Sequence, residues 1–184
     1  PTMAAHVHAD FPAALDLIVD GGATAVGLES TIVACTGDVP VVLRFGGLAR
    51  EAIENVLQRP IAFHRGAADA PQSPGQLASH YAPRAAIRLN ADHVASGEAL
   101  LAFGDAPMIG AGNAAVALNL SPRGDLVEAA ANFFAYLHRL DASNAATIAV
   151  ACIPEKGLGE AINDRLRRAA APRPATSARP NVSA

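Results

Sequence analysis

Ala115-Val116-Ala117-Leu118-Asn119-Leu120 and Thr147-Ile148-Ala149-Val150-Ala151-Cys152 are short apolar runs flanking a stretch, Asp125 to Leu140, whose apolar residues recur at helical spacing. Runs without polar alternation suit strands covered on both faces, and an intervening helix is the usual crossover between parallel neighbours. Leu126, Ala129, Ala130, Phe133, Phe134, Leu137 and Leu140 form the helical stripe. Asp125, with Glu128 three residues on, predicts a capping box at its start. Upstream, Ala86-Ile87-Arg88-Leu89 and Ala99-Leu100-Leu101-Ala102-Phe103 add two more strands, and a last helix is predicted from about Leu158 to Ala170 before a Pro-rich tail. Residues 85–171 therefore read as a small Rossmann-like α/β domain with a mostly parallel sheet, and 172–184 as a flexible tail.

The pattern before this block differs. Leu15 to Asp20, Ser30 to Cys35 and Val41 to Phe45 carry strand signals. The last two are separated by Thr36-Gly37-Asp38-Val39-Pro40, a length suited to a hairpin. Arg50 to Leu57 reads as a helix with Ile53, Val56 and Leu57 on one stripe, stopped by Pro60. Residues 1–65 thus pack sheet against helix. Between the blocks, Ser73-Pro74-Gly75-Gln76-Leu77-Ala78-Ser79-His80-Tyr81-Ala82-Pro83-Arg84 lies in a Pro/Gly strap, residues 66–84, stiffened by prolines.

Composition bounds the function. A chain of 184 residues that is 51% hydrophobic and 17% charged can bury a core. A net charge of −3 gives no basic face, so direct binding of nucleic acid is not expected. The basic excess at Arg165, Arg167, Arg168, Arg173 and Arg179 reads as a solvated helix end. Cys35 and Cys152 read as reduced core residues, and no apolar stretch has membrane-spanning length, so a soluble cytoplasmic protein without a membrane partner is expected. The first residue is proline, which suggests that the sequence starts partway through something longer.

Few residues suggest chemistry. Glu29-Ser30-Thr31 precede one predicted strand, and Arg44 ends its neighbour just before Phe45-Gly46-Gly47. Hydroxyls can hold the polar ends of an amino acid, an Arg fork can neutralise phosphate oxygens, and glycines let a ligand approach the backbone. Strand capping by Ser30 and Thr31, and a surface ion pair for Arg44, explain the same residues equally simply. His6 and His8 lack the carboxylates that would complete a metal site. Gly104, Gly110 and Gly112 have the wrong spacing for a dinucleotide fingerprint and read as turns. Glu155-Lys156-Gly157-Leu158-Gly159 opens a helix, where an anion is sometimes received, though a plain turn suffices.

Several segments together resemble the threonylcarbamoyl-AMP synthases, YrdC-type enzymes, in the long form with an extra C-terminal domain. Pro1-Thr2-Met3-Ala4-Ala5-His6-Val7 is similar to the end of the family's S-A-N-x-S-G-x-x-S-P-T-x-x-x-H-V segment. Gly27 to Val33 resembles its G-x-E-S-T-V-V strand, and Leu43-Arg44-Phe45-Gly46-Gly47 its L-R-P-G-G turn. Ser73-Pro74-Gly75 with His80-Tyr81-Ala82-Pro83 resembles the interdomain strap. Leu118 to Ser121 and Pro154 to Leu166 resemble the extra domain. The resemblance implies that residues 1–65 are the C-terminal part of a YrdC-like twisted open α/β sheet. It implies condensation of L-threonine, bicarbonate and ATP to threonylcarbamoyl-AMP with release of pyrophosphate, without a covalent enzyme intermediate. A separate tRNA threonylcarbamoyl transferase then uses the product.

Carried over by motif, Ser30 is expected to contact L-threonine, and Thr2, Arg44 and Tyr81 to contact ATP, with Mg2+ accompanying the nucleotide. The family's N-terminal half has no counterpart here, so the fragment alone is expected to be inactive. A non-catalytic remnant or regulatory module retaining the strap and extra domain is the alternative. Phe45 stands for the usual proline, Cys35 for the usual aspartate and Ala49 for the usual threonine cap. Gln76-Leu77-Ala78-Ser79 stands for a run bearing a cation and an aromatic.

Overall fold

The computed structural model describes residues 1–11, 13–63, 74 and 81–172. The expectations for Ser73, Gly75, Gln76 to His80 and the tail beyond Pro172 lie outside the described residues.

Helix α1 (Ala4–Asp10) leads through an irregular segment to a three-stranded sheet, β1 (Ile32–Ala34), β2 (Val41–Arg44) and β3 (Ala62–Phe63). β1 and β2 pair antiparallel as the predicted hairpin, with a register shift between Ile32 and Val33. β3 joins β2 in parallel after the crossover helix α2 (Arg50–Leu57). α2 ends on Gln58, whose φ of 52° terminates the helix before Pro60 is reached. Of the predicted stripe, Val56 is 82% exposed, so Ile53, packed near Val42 and Phe45, is what docks the helix.

The second sheet is wholly parallel, in the order β4 (Ala86–Arg88), β7 (Thr147–Val150), β5 (Ala99–Ala102), β6 (Ala117–Asn119). Because side chains alternate along a strand, Ala99, Leu101, Ile148 and Val150 enter the main core under α3 (Leu126–Asp141) and α4 (Leu158–Ala170). Leu100 and Ala149 enter a smaller cluster on the other side with Ala91 and Val94. Both faces are covered, as continuous apolar runs require.

α4 belongs to both halves. Ile162 and Leu166 fill the core of the second sheet, while Ala161 packs with Val42, Phe45 and Ile61 of the first. Polar contacts follow the same seam: Glu160, 2% exposed, receives Arg50 of α2 at 3.1 Å. The Glu51 carboxylate accepts the Gly157 N–H at 3.0 Å. The turn Glu155 to Gly159 does receive an anion, supplied by the chain itself.

Three expectations are corrected. Leu15 to Asp20 forms no strand; Leu17 and Val19 are 78% and 84% exposed, and the segment has no ladder partner among the described residues. Cys35 and Cys152 are exposed, because each lies just past a strand end, where alternate side chains leave the core. Arg165 is not at a solvated helix end: it is 1% exposed, and Arg168 is 9% exposed. None of the described helices is long and apolar enough to cross a membrane.

Candidate functional site

The site begins where two backbone segments touch. The Gly47 N–H donates to the Glu29 carbonyl at 2.7 Å. Thr31 Oγ1 donates to the Leu48 carbonyl at 2.6 Å and accepts the Leu48 N–H at 3.1 Å. A Cβ on Gly46 would stand 2.3 Å from the Glu29 carbonyl oxygen and 2.4 Å from the Thr31 nitrogen. The glycines are thus needed for chain-to-chain packing at this point, and the space expected for a ligand over Gly46 is filled by backbone.

Arg44, at the end of β2, reaches across to the start of β1. Its Nε and Nη2 donate to the Ser30 carbonyl at 3.1 and 2.9 Å, and Nη2 also lies 3.1 Å from Ser30 Oγ. Nη1 donates to the Pro74 carbonyl in the strap at 3.3 Å. These partners are neutral oxygens, so they orient the fork without cancelling its charge.

Tyr81 enters from the end of the strap with a φ of 61°, a left-handed backbone uncommon for a bulky residue. Its hydroxyl donates to Glu29 Oε1 at 2.5 Å. The other carboxylate oxygen, Oε2, accepts from Arg165 Nε and Nη2 at 3.2 and 2.8 Å. Arg165 Nη1 donates to the Phe45 carbonyl at 2.6 Å and meets Asp164 at 3.3 Å. Its guanidinium lies 5.8 Å from the Tyr81 ring centre, and the ring leans on Phe134 at 5.3 Å.

Burial works to raise the Glu29 carboxyl, but the Arg165 charge and the hydrogen bonds from Tyr81 and Arg165 outweigh it and bring it to about 2. Burial, together with the bond to Glu29, pushes the Tyr81 phenol up to about 12. Both groups therefore hold one ionisation state across the neutral range: Glu29 as acceptor, Tyr81 as donor.

Thr2 is 7% exposed. Its N–H donates to His6 Nδ1 at 3.2 Å, so that nitrogen is unprotonated, and the His6 ring stacks on His138 of α3 at 4.3 Å. Burial, then the neighbouring His138, lower the His6 pKa. Thr2, Glu29 and Tyr81 line a cavity of about 640 Å3, closed on its other side by Phe134, His138 and Asp141 of α3.

Of the four residues singled out in the sequence, Thr2 and Tyr81 share this cavity, while Ser30 and Arg44 are bonded to each other one residue beyond Glu29 and do not line it. Among the described residues no three His, Cys, Asp or Glu side chains converge to hold a metal. Sequence reasoning missed Arg165 and Glu29. Arg165 falls three residues after Ile162 and beside Leu166, on the apolar stripe of α4, which was the available sign that it points inward. Nothing in the sequence named its partner. What the arrangement offers is oriented donors, a fixed carboxylate, and the Thr2 hydroxyl 3.4 Å from His6 Nδ1 beside a partly open cavity.

Residues 48–171 match the family described as threonylcarbamoyl-AMP synthase, C-terminal domain. The threonylcarbamoyl-AMP synthase of Bacillus subtilis is 33% identical, over 92% of this chain and 53% of that protein. Its namesake from Pyrococcus abyssi is 36% identical over 92% and 53%. The crystal structure of P. abyssi Sua5 complexed with L-threonine superimposes with a TM-score of 0.74 at 28% identity, covering 92% of this chain and 54% of that one. A P. abyssi Sua5 variant with an adjacent His and Tyr changed to Ala gives the same TM-score. The chain spans about half the length of these relatives. A matched segment running from Leu48, just past the Gly46-Gly47 turn, through α4 shows that this chain belongs to the threonylcarbamoyl-AMP synthase C-terminal domain family.

Proposed function

We propose that the chain acts within an L-threonylcarbamoyladenylate synthase, which joins L-threonine, bicarbonate and ATP into threonylcarbamoyl-AMP, releases pyrophosphate and passes the product to a tRNA threonylcarbamoyl transferase. In this reading Ser30 contacts L-threonine, and Thr2, Arg44 and Tyr81 contact ATP. The observation that carries it is the convergence on residues 29–30: the Arg44 fork on Ser30 and the Tyr81 phenol on Glu29, with Thr2 sharing the cavity beside them. The named relatives and the family match support the reaction class. The threonine-bound relative supports the amino acid.

The residues named here bind and orient. Arg44 is a charge positioned for phosphate oxygens, Ser30 a hydroxyl for the polar end of an amino acid, and Tyr81 a neutral ring and phenol oxygen whose single O–H is held by Glu29. Mg2+ would arrive on the nucleotide phosphates, which usually demand it.

The test is pyrophosphate release that requires both L-threonine and bicarbonate, measured in the protein together with the N-terminal half its relatives possess. Arg44→Ala is expected to abolish adenylate formation or raise the KM for ATP. Release unchanged in that variant removes Arg44 from the site. The 184-residue chain alone is expected to bind ATP weakly or not at all by calorimetry, and tight binding contradicts the division of the site between two halves.

A further inference from the structure

Arg165 lies on the last helix, 136 residues from Glu29 and on the far side of the strap in sequence, yet it makes the most buried charged contact of the site. Its three nitrogens are shared between the Glu29 carboxylate, the Phe45 carbonyl and Asp164. The fork thereby fixes both segments that carry the proposed ligand contacts: Glu29-Ser30 through the carboxylate, and Arg44-Phe45 through the carbonyl. The remaining Glu29 oxygen takes the Tyr81 phenol. The Glu29 side chain is 33% exposed, so without the fork its carboxylate is free to turn to water, which moves the acceptor that holds Tyr81.

We propose that Arg165 is a positioning residue, through which α4 of the C-terminal sheet holds Glu29 and so sets the Tyr81 phenol at the cavity wall. It does not line the cavity itself. The C-terminal sheet then has a function at the site, that of a rigid mount whose guanidinium decides whether the end of the strap is docked. The proposal rests on the preceding reading only for the consequence of docking, that Tyr81 meets ATP.

The chain has no Trp and two Tyr residues, so Tyr81 can be observed directly in a Tyr136→Phe background. A phenol hydrogen-bonded to a carboxylate is quenched in emission. Tyr81 should therefore be dim in this background and brighten in Glu29→Gln. Arg165→Met, checked for folding by circular dichroism, is expected to lose the quenching as Glu29→Gln does. Arg165→Lys, which keeps the charge but not the fork, is expected to fall between the two. Should Arg165→Met fail to fold, the Lys variant decides. Emission of Arg165→Lys equal to that of its Arg165 parent, or Glu29→Gln leaving Tyr81 dim, overturns the proposal.

A second arm separates it from the functional reading. In the protein assayed for pyrophosphate release, Arg165→Lys is expected to raise the KM for ATP roughly tenfold with kcat nearly unchanged, since lost positioning of a binding group weakens binding first. Emission that responds while KM does not leaves the Arg165–Glu29–Tyr81 coupling intact and removes Tyr81 from the nucleotide.

Discussion

Gly46 has no side chain because two peptide units occupy the volume one would need, with the Glu29 carbonyl 2.3 Å from where a Cβ would stand. Gly46→Ala must therefore part the turn from residues 29–31. Backbone shifts of this kind typically cost ~1–3 kcal/mol, and a fall in urea midpoint with loss of the Thr31–Leu48 contacts in amide exchange would register it. Glu29 makes a different prediction. Its carboxyl lies near 4.5 when unperturbed and at about 2 here, so the folded state binds fewer protons than the unfolded state between those values. The stability it contributes is complete above pH 4.5 and lost as pH falls toward about 2. Glu29→Gln should flatten that portion of the stability profile, and a profile of unchanged slope would deny the Arg165 pairing. Ser30, Arg44 and Tyr81 stood out in the sequence as hydroxyl, cation and phenol in recognisable segments, and the structure gathers them around residues 29–30. The sequence hid the Glu29–Arg165 pair, since contact across 136 residues is set by how α4 docks and by nothing local.

At the scale of elements, helical periodicity located α2, α3 and α4, and continuous apolar runs located β4 to β7, because a sheet covered on both faces leaves no polar alternation. The capping of α3 illustrates what periodicity leaves open. Asp125 accepts the N–H groups of Val127 and Glu128, as the capping signature predicts. Glu128 does not reach back to the Asp125 N–H. That N–H donates to Ser121 Oγ at 2.9 Å, and the Ser121 hydroxyl donates to Glu128 at 2.6 Å, so a fully buried serine relays the second arm of the box. Asp125→Ala should cost ~1 kcal/mol, as for other lost caps. Ser121→Ala should cost more, about 1–3 kcal/mol, because it strands a donor and an acceptor at once. Thermal denaturation of the two variants orders them, and a milder Ser121 variant would show that water replaces the relay. The segment Leu15 to Asp20 failed as a strand for the complementary reason: propensity gives an extended backbone, but only a neighbouring ladder makes it a strand.

For the whole molecule, α4 decides how the two sheets respond to stress. Ala161 packs into the first core and Ile162 and Leu166 into the second, so the same helix turn is shared between them. Reading the chain as successive blocks conceals this, because α4 follows β7 in sequence while its Ala161 packs into the core of the sheet of residues 32–63. The ionic tie is deeper than a surface pair: the Glu160 side chain is 3% exposed, the Arg50 side chain 21%, and Arg50 also holds Glu54 at 2.7 Å. Removing one partner of a buried pair leaves the other desolvated and costs on the order of 3–5 kcal/mol, whereas an exposed pair would cost less than ~1 kcal/mol. Arg50→Met should therefore strip the first sheet from α4 and leave the second sheet, whose core uses the opposite face, nearly as stable as before. The parent chain is expected to melt in one transition. The variant is expected to melt in two, with amides of β1 to β3 exchanging before those of β4 to β7. A single transition moved by less than about 1 kcal/mol would place Arg50–Glu160 among solvent-screened surface pairs and leave apolar contact around Ala161 as what joins the halves.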